Sequence, residues 1–180
     1  MDFEISQLKD AIAKCKRAII VPHVNPDGDA IGSCLALFHE LKKYGIETCV
    51  VSPNEYPEFL WWLPGNDQVL LFSKSRIEVM EEFQRADICF CLDFNELKRC
   101  GDLDELIKSF KGKKVLIDHH PNPEQFADLI FSDISVSSTA ELLAILLENL
   151  DLGPAVSYNT RSEEKTYELQ SPNTISYDVL

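Results

Sequence analysis

Basic residues are scarce in this chain. It has 17 Lys and Arg against 30 Asp and Glu, a formal net charge of −13 at pH 7. A protein that grips long nucleic acid needs a basic face, so that class is excluded. Small phosphate substrates are not, because carboxylates that hold divalent cations leave a local site neutral or positive. Long apolar runs are also absent. "ADICFCLD" and "DLIFSDI" are too short to cross a bilayer. The start, "MDFEISQLKDAIAKCKR", has early acids and no continuous apolar stretch, so it reads as no signal peptide. No membrane partner is expected, and the expected location is the cytoplasm. The six cysteines, at 15, 34, 49, 89, 91 and 100, include no C-x-x-C pair. That argues against a four-thiolate zinc site and for reduced, partly buried thiols rather than a disulfide framework. No internal repeat is found.

What is present is an alternation of strand and helix signals. "RAIIVP" (17–22) is a continuous apolar run, as a strand buried on both faces requires. The spacing of Ile31, Leu35, Phe38 and Leu41 predicts a helix over 29–45, with Gly45 as its stop. Further strands are expected at 46–52, 87–93, 113–118 and 129–133, with a short one in "QVLLF". Helices are expected at 75–86, 102–110 and 137–150, the last opened by a capping box of Ser138 and Glu141. "PNEYPEFLWWLPGND" (53–67) reads as a loop whose aromatics, Trp61 and Trp62 included, pack onto the sheet; an exposed patch for a protein partner is the alternative. Repeated β–α–β units imply an α/β fold with a mostly parallel sheet and helices on both faces. After Leu150 the chain turns polar and turn-rich, so 1–150 is read as the domain and 151–180 as an atypical tail.

Three of these strands end in the same chemistry. His23, Asp27 and Asp29 follow the first, Asp93 closes another, and Asp118, His119 and His120 close a third. Carboxyl ends of parallel strands open on one edge, where such folds bind ligands. One Asp-Gly-Asp alone would be a turn, and Asp29 alone a cap for the helix that follows it. Three coincident strand ends point instead to a metal site. Several Asp oxygens with a few His nitrogens suit Mn²⁺ or a similar borderline-hard ion, and so many acids suggest two ions sharing one carboxylate. That arrangement serves phosphoester or phosphoanhydride hydrolysis.

At these residues the sequence resembles the DHH family of phosphoesterases. "HVNPDGDAIGS", "LDFNELKR", "LIDHHPNP" and "DISVSSTAELL" match its motifs in order, over about residues 1 to 150. The nearest branch in appearance is the nanoRNase and pAp-phosphatase group. The resemblance implies a three-layer Rossmann-like domain and hydrolysis of short oligonucleotides or 3′-phosphoadenosine 5′-phosphate with two Mn²⁺, Mg²⁺ or Co²⁺ being alternatives. It implies that His23 and Asp27 bind one ion, Asp29 and His119 the second, and that Asp93 bridges them. Asp118 would orient its neighbours. His120 would meet the substrate phosphate. Arg99 would contact phosphate through its planar fork, a surface ion pair being the alternative. Ser138 and Thr139 would offer a helix N-terminus to an anion, with plain capping as the alternative.

The resemblance departs in two places. Nothing in 151–180 matches the family's fourth metal motif, an Asp in a segment like Thr-Asp-Thr-Gly. A C-terminal domain of the DHHA1 type, which in the family closes over the cleft, is not expected within these 180 residues. A truncated product and a genuine short variant both fit, and the expectation is weak activity or none. A missing lid would expose apolar surface, so self-association, a homodimer included, is a further expectation. The alternatives within the family are a cyclic dinucleotide phosphodiesterase, a pyrophosphatase and an exopolyphosphatase. Outside it, the alternative is a metal- and nucleotide-binding fragment without turnover.

Overall fold

A computed structural model describes residues 2–150. The element order is α1 (Asp2–Lys14), β1 (Arg17–Val21), α2 (Gly28–Lys43), β2 (Glu47–Ser52), β3 (Leu70–Leu71), α3 (Arg76–Arg85), β4 (Ile88–Leu92), α4 (Asp104–Ser109), β5 (Lys113–Asp118), β6 (Leu129–Ser132) and α5 (Thr139–Asn149). Short 3₁₀ segments fill Glu58–Leu60, Asn66–Gln68 and Leu97–Leu103.

The six strands form one sheet in the order β3-β2-β1-β4-β5-β6, and every pairing is parallel. The central strands β1 and β4 are nearly all apolar and buried, as Ile19, Ile20, Val21, Ile88, Phe90 and Leu92 illustrate. A strand covered on both faces has no polar side to offer. Alternate side chains feed two cores. On one face Leu8, Ile12, Ile31, Phe38, Leu143 and Leu146 of α1, α2 and α5 meet Ile20, Phe90 and Ile117. On the other, Val79, Phe83, Leu103 and Ile107 of α3, α4 and the segment before it meet Ile19, Cys89 and Leu116. The result is the expected three-layer α/β domain. The chain winds outward from β1 to β3, returns to β4 beside β1, and winds outward again to β6. The crossover between β1 and β4 is the switch point at which such sheets open a crevice.

Two local readings change. The helix α1 was not anticipated, although Ile5, Leu8 and Ile12 carry its spacing; it packs beside β6. Trp61 and Trp62 do not pack onto the sheet: they are 54% and 60% exposed. The inward side of their loop is filled by Leu60 and Tyr56 instead. The Tyr56 hydroxyl donates to Asn66 Oδ1 at 2.6 Å, which leaves the neighbouring aromatics facing water. The expected helix stop holds, since Gly45 takes φ 75°, a left-handed value that glycine adopts without strain.

All six cysteines are free, and four are fully buried. Burial pushes the thiol of Cys15 up to about 11 and those of Cys49 and Cys100 up to about 12, from an ordinary 9.0. The native chain is therefore expected to react slowly with a thiol-exchange reagent at mildly alkaline pH, and all six thiols to react quickly in denaturant. Because the folded values are raised, their stabilising contribution is complete below the ordinary thiol value. It is lost as pH climbs through the folded ones. Alkaline unfolding that sets in no earlier for the wild type than for a Cys49→Ser, Cys100→Ser double variant would contradict this.

Candidate metal centre

The turn after β1 carries His23, buried, and Asp27, exposed. Asp27 caps α2 in an extended conformation, and its Oδ1 accepts from the backbone amides of Asp29 and Ala30 at 3.0 Å each. The cap of this helix is thus Asp27 and not Asp29. Asp29 reaches elsewhere. Its carboxylate accepts from the amides of Thr139 and Ala140 at 2.8 and 2.9 Å, so it caps α5, 110 residues further along. The helix N-terminus expected to receive an anion already holds this one.

Asp93 sits just beyond β4 with φ 66°, and it is 2% exposed. Left-handed backbone outside glycine is best tolerated by Asp and Asn, and it turns the carboxylate into the crevice. Its Oδ2 lies 3.6 Å from His23 Nε2. Its Oδ1 accepts from the Thr139 hydroxyl at 2.8 Å and lies 3.7 Å from His119 Nε2 and 3.8 Å from His120 Nδ1. His119 Nε2 is also 3.8 Å from Asp29 Oδ2. Burial works against a charged Asp93, but the neighbouring His23 ring and the Thr139 hydrogen bond outweigh it and hold its pKa below the usual range. Burial likewise opposes protonation of His23, and the nearby Asp93 carboxylate together with the hydrogen bond to the Val24 carbonyl outweighs it and holds its pKa up.

Two groups can therefore each converge on a cation: His23, Asp27 and Asp93, and Asp93, His119 and His120, with ligand atoms within 4.8 Å of one another in each. Asp93 belongs to both. Oxygen and imidazole donors without a thiolate suit a borderline-hard divalent ion. The fully buried Asp118 adds a second sign of fit. Its Oδ1 is 2.7 Å from His120 Nδ1, while its Oδ2 has no hydrogen-bond partner among the described residues. A buried carboxylate oxygen left unsatisfied beside this cluster is what a cation site would explain.

The other anticipated residues fall around this centre. Ser138 caps α5 by accepting from the Glu141 amide at 3.0 Å. Arg99 is half-buried in the segment after β4, and its carbonyl accepts from the Val24 amide at 2.7 Å. Its side chain makes no hydrogen bond or ion pair among the described residues. The segment 151–180, in which no fourth metal motif is read, lies outside the described residues. Sequence reasoning missed Asn25 and Asn54, whose side chains bridge the loops after β1 and β2. The signal was available, because "SPNEYP" also follows a strand at this edge.

These features define a parallel α/β domain with a carboxylate–imidazole cluster at its topological switch point. The chain belongs to the DHH family: the model for "DHH family, N-terminal domain" matches residues 17–173. A Thermus thermophilus protein named bifunctional oligoribonuclease and PAP phosphatase NrnA is 31% identical over 131 residues, 73% of this chain and 36% of that protein. The Bacillus subtilis protein of the same name is 29% identical over 153 residues, 83% of this chain and 43% of its own length. A crystal structure of an exopolyphosphatase-related protein from Bacteroides fragilis matches with TM-score 0.85 at 35% identity, over 87% of this chain and 46% of that one. The chain thus spans less than half the length of each of these three relatives. Among the described residues, no helix is long and apolar enough to cross a membrane.

Proposed function

We propose that the chain is the cation-holding part of a cytoplasmic phosphoester hydrolase, residues 1–150 forming its catalytic domain. Its substrates would be short oligoribonucleotides, 3′-phosphoadenosine 5′-phosphate, or both. The observation that carries the reading is Asp93, a buried carboxylate common to two groups of ligand atoms. His23, Asp27 and Asp93 would hold one cation; Asp93, Asp29 and His119 would hold a second. Mn²⁺ is the proposed ion, with Mg²⁺ or Co²⁺ as substitutes. Such ions, when bound, would neutralise phosphate charge and acidify a water.

The chain's own residues do the rest. Asp118 accepts from His120 Nδ1, which leaves Nε2 as the nitrogen proposed to meet the substrate phosphate. Arg99 is tied through its carbonyl to the ligand-bearing turn, so its guanidinium is the proposed phosphate clamp. Thr139 positions Asp93 through its hydroxyl. With Ser138 engaged as a cap, neither Ser138 nor Thr139 is proposed to touch substrate.

The names of the Thermus and Bacillus relatives favour the nucleotide substrates, and that of the Bacteroides relative keeps inorganic polyphosphate in view. A panel of 3′-phosphoadenosine 5′-phosphate, a diadenylate and pyrophosphate, each with Mn²⁺, tests the reading. Turnover of either nucleotide above pyrophosphate is the expected result. Preference for pyrophosphate would reassign the substrate. No turnover by a folded chain that binds one Mn²⁺ would leave a metal-binding module, the reading favoured by the lack of a Thr-Asp-Thr-Gly-like segment in 151–180.

A further inference from the structure

We propose that Asn54 is a positioning residue for the first cation. With Asn25 it forms a two-way amide clamp that holds the turn from His23 to Asp27 in the shape that brings both side chains to Asp93. The proposal rests on the reading of those three residues as cation ligands.

The turn poses a physical problem. It carries a ligand at each end, yet it has no regular structure, and Pro26 offers no amide to stabilise it. The spacing of His23 and Asp27 is fixed only if the three residues between them are. Asn25 takes φ 52°, a left-handed value that asparagine tolerates better than most residues. In that conformation its amide donates to Asn54 Oδ1 at 2.8 Å. Its own Oδ1 accepts from Asn54 Nδ2 at 2.7 Å. One side chain thereby reads both the backbone and the side chain of the turn's central residue.

The clamp has a firm base. Ser52 is fully buried at the end of β2, and its hydroxyl donates to the Asn54 carbonyl at 2.7 Å. The Asn54 Nδ2 also donates to the Glu55 carbonyl at 2.8 Å, which sets its rotamer. From the opposite side, Val24 donates its amide to the Arg99 carbonyl at 2.7 Å. Asp27 is pinned as the cap of α2. The turn is therefore gripped by the loops that follow both strands flanking β1, namely β2 and β4. Such cross-strand bonds have no part in a simple connection between β1 and α2. They make sense where the spacing of two ligands must be preorganised, since a misplaced turn would pay the ordering when the cation binds.

Because the two asparagines are not deeply buried, water can replace the clamp, and its loss should disturb geometry more than stability. In Asn54→Ala the Mn²⁺ dissociation constant is expected to rise about tenfold, the low end of what supporting residues contribute. Hydrogen exchange at the Val24 and Asn25 amides of the metal-free chain should quicken. Asn25→Gly keeps the amide donor and takes the left-handed backbone without strain, so it should bind closer to wild type than Asn25→Ala. Affinities are compared at a temperature where circular dichroism shows every variant folded, so that a loss of stability alone leaves them unmoved. Wild-type affinity in Asn54→Ala overturns the proposal, whatever its exchange rates, as does an Asn25→Gly no better than Asn25→Ala. A wild-type chain that binds no Mn²⁺ overturns the cation reading and the clamp together. A wild type that binds beside an unaffected Asn54→Ala overturns the clamp alone.

Discussion

Asp93→Ala is expected to lower metal-dependent hydrolysis by about 10³-fold or more, roughly 4 kcal/mol of barrier. The side chain lies at the centre of everything proposed for the site. It is shared by both ligand groups, it faces His23, His119 and His120 within 3.8 Å, and it receives the Thr139 hydroxyl. Alanine removes the shared carboxylate, strands the buried hydroxyl, and must sit at φ 66°, which alanine resists. Asp93→Asn separates these effects. The amide keeps the shape, the left-handed backbone and the acceptor for Thr139, but is a poor cation ligand, so it should be as inactive as alanine while melting near the wild type.

Thermal unfolding provides a second reading of the same variant. Mn²⁺ at a hundredfold above its dissociation constant should stabilise the wild type by about 2.7 kcal/mol. In a chain of this size that is roughly 5–10 °C of melting temperature. Chelation should reverse the shift, and Asp93→Ala should show none. Turnover within tenfold of wild type in Asp93→Ala would sink the bridging role.

Asp29→Ala is expected to destabilise the metal-free chain by about 2 kcal/mol. Asp29 accepts two backbone amides at the start of α5. Hydrogen bonds to a charged group contribute about 1.5–3 kcal/mol each when well shielded, and a carboxylate at a helix N-terminus adds about 0.3–1 kcal/mol. The side chain is 22% exposed, so water recovers part of this in the variant. Asp29→Asn keeps an acceptor for one amide and should lose about half as much. Both substitutions remove a proposed ligand of the second cation. Denaturant unfolding of the chelated proteins isolates the structural part, and Mn²⁺ titration isolates the ligand part. Equal stability of all three chelated proteins would show that the α5 cap carries no net energy. The double duty has a mechanical consequence: α2 and α5 are joined at the site by a residue that is also a proposed cation ligand, so ordering of the α5 N-terminus and cation binding are expected to be linked.

The sequence by itself determined the fold class and the membership of the cluster. Continuous apolar runs at 17–22, 87–93 and 113–118 left only a parallel sheet covered on both faces. Parallel strands place their carboxyl ends on one edge whatever their lateral order, so His23, Asp93 and His119 could be brought together from chain order alone. Other features depended on which loops became neighbours. Asp29 reads locally as a cap for the helix it opens, and only the adjacency of α2 and α5 shows that it caps the other one. Thr139 reads as a helix start, and its hydroxyl finds Asp93 only after β4 has been inserted beside β1. Asn25 and Asn54 look like ordinary turn residues until β2 and β1 pair. Trp61 and Trp62 were expected inside because they are large and apolar, yet Leu60 and Tyr56 had already filled the space beneath them. Periodicity and strand ends are encoded within a few residues and can be read there. Hydrogen bonds between residues 29, 46 or 110 positions apart depend on lateral strand order and packing, which only the tertiary structure decides.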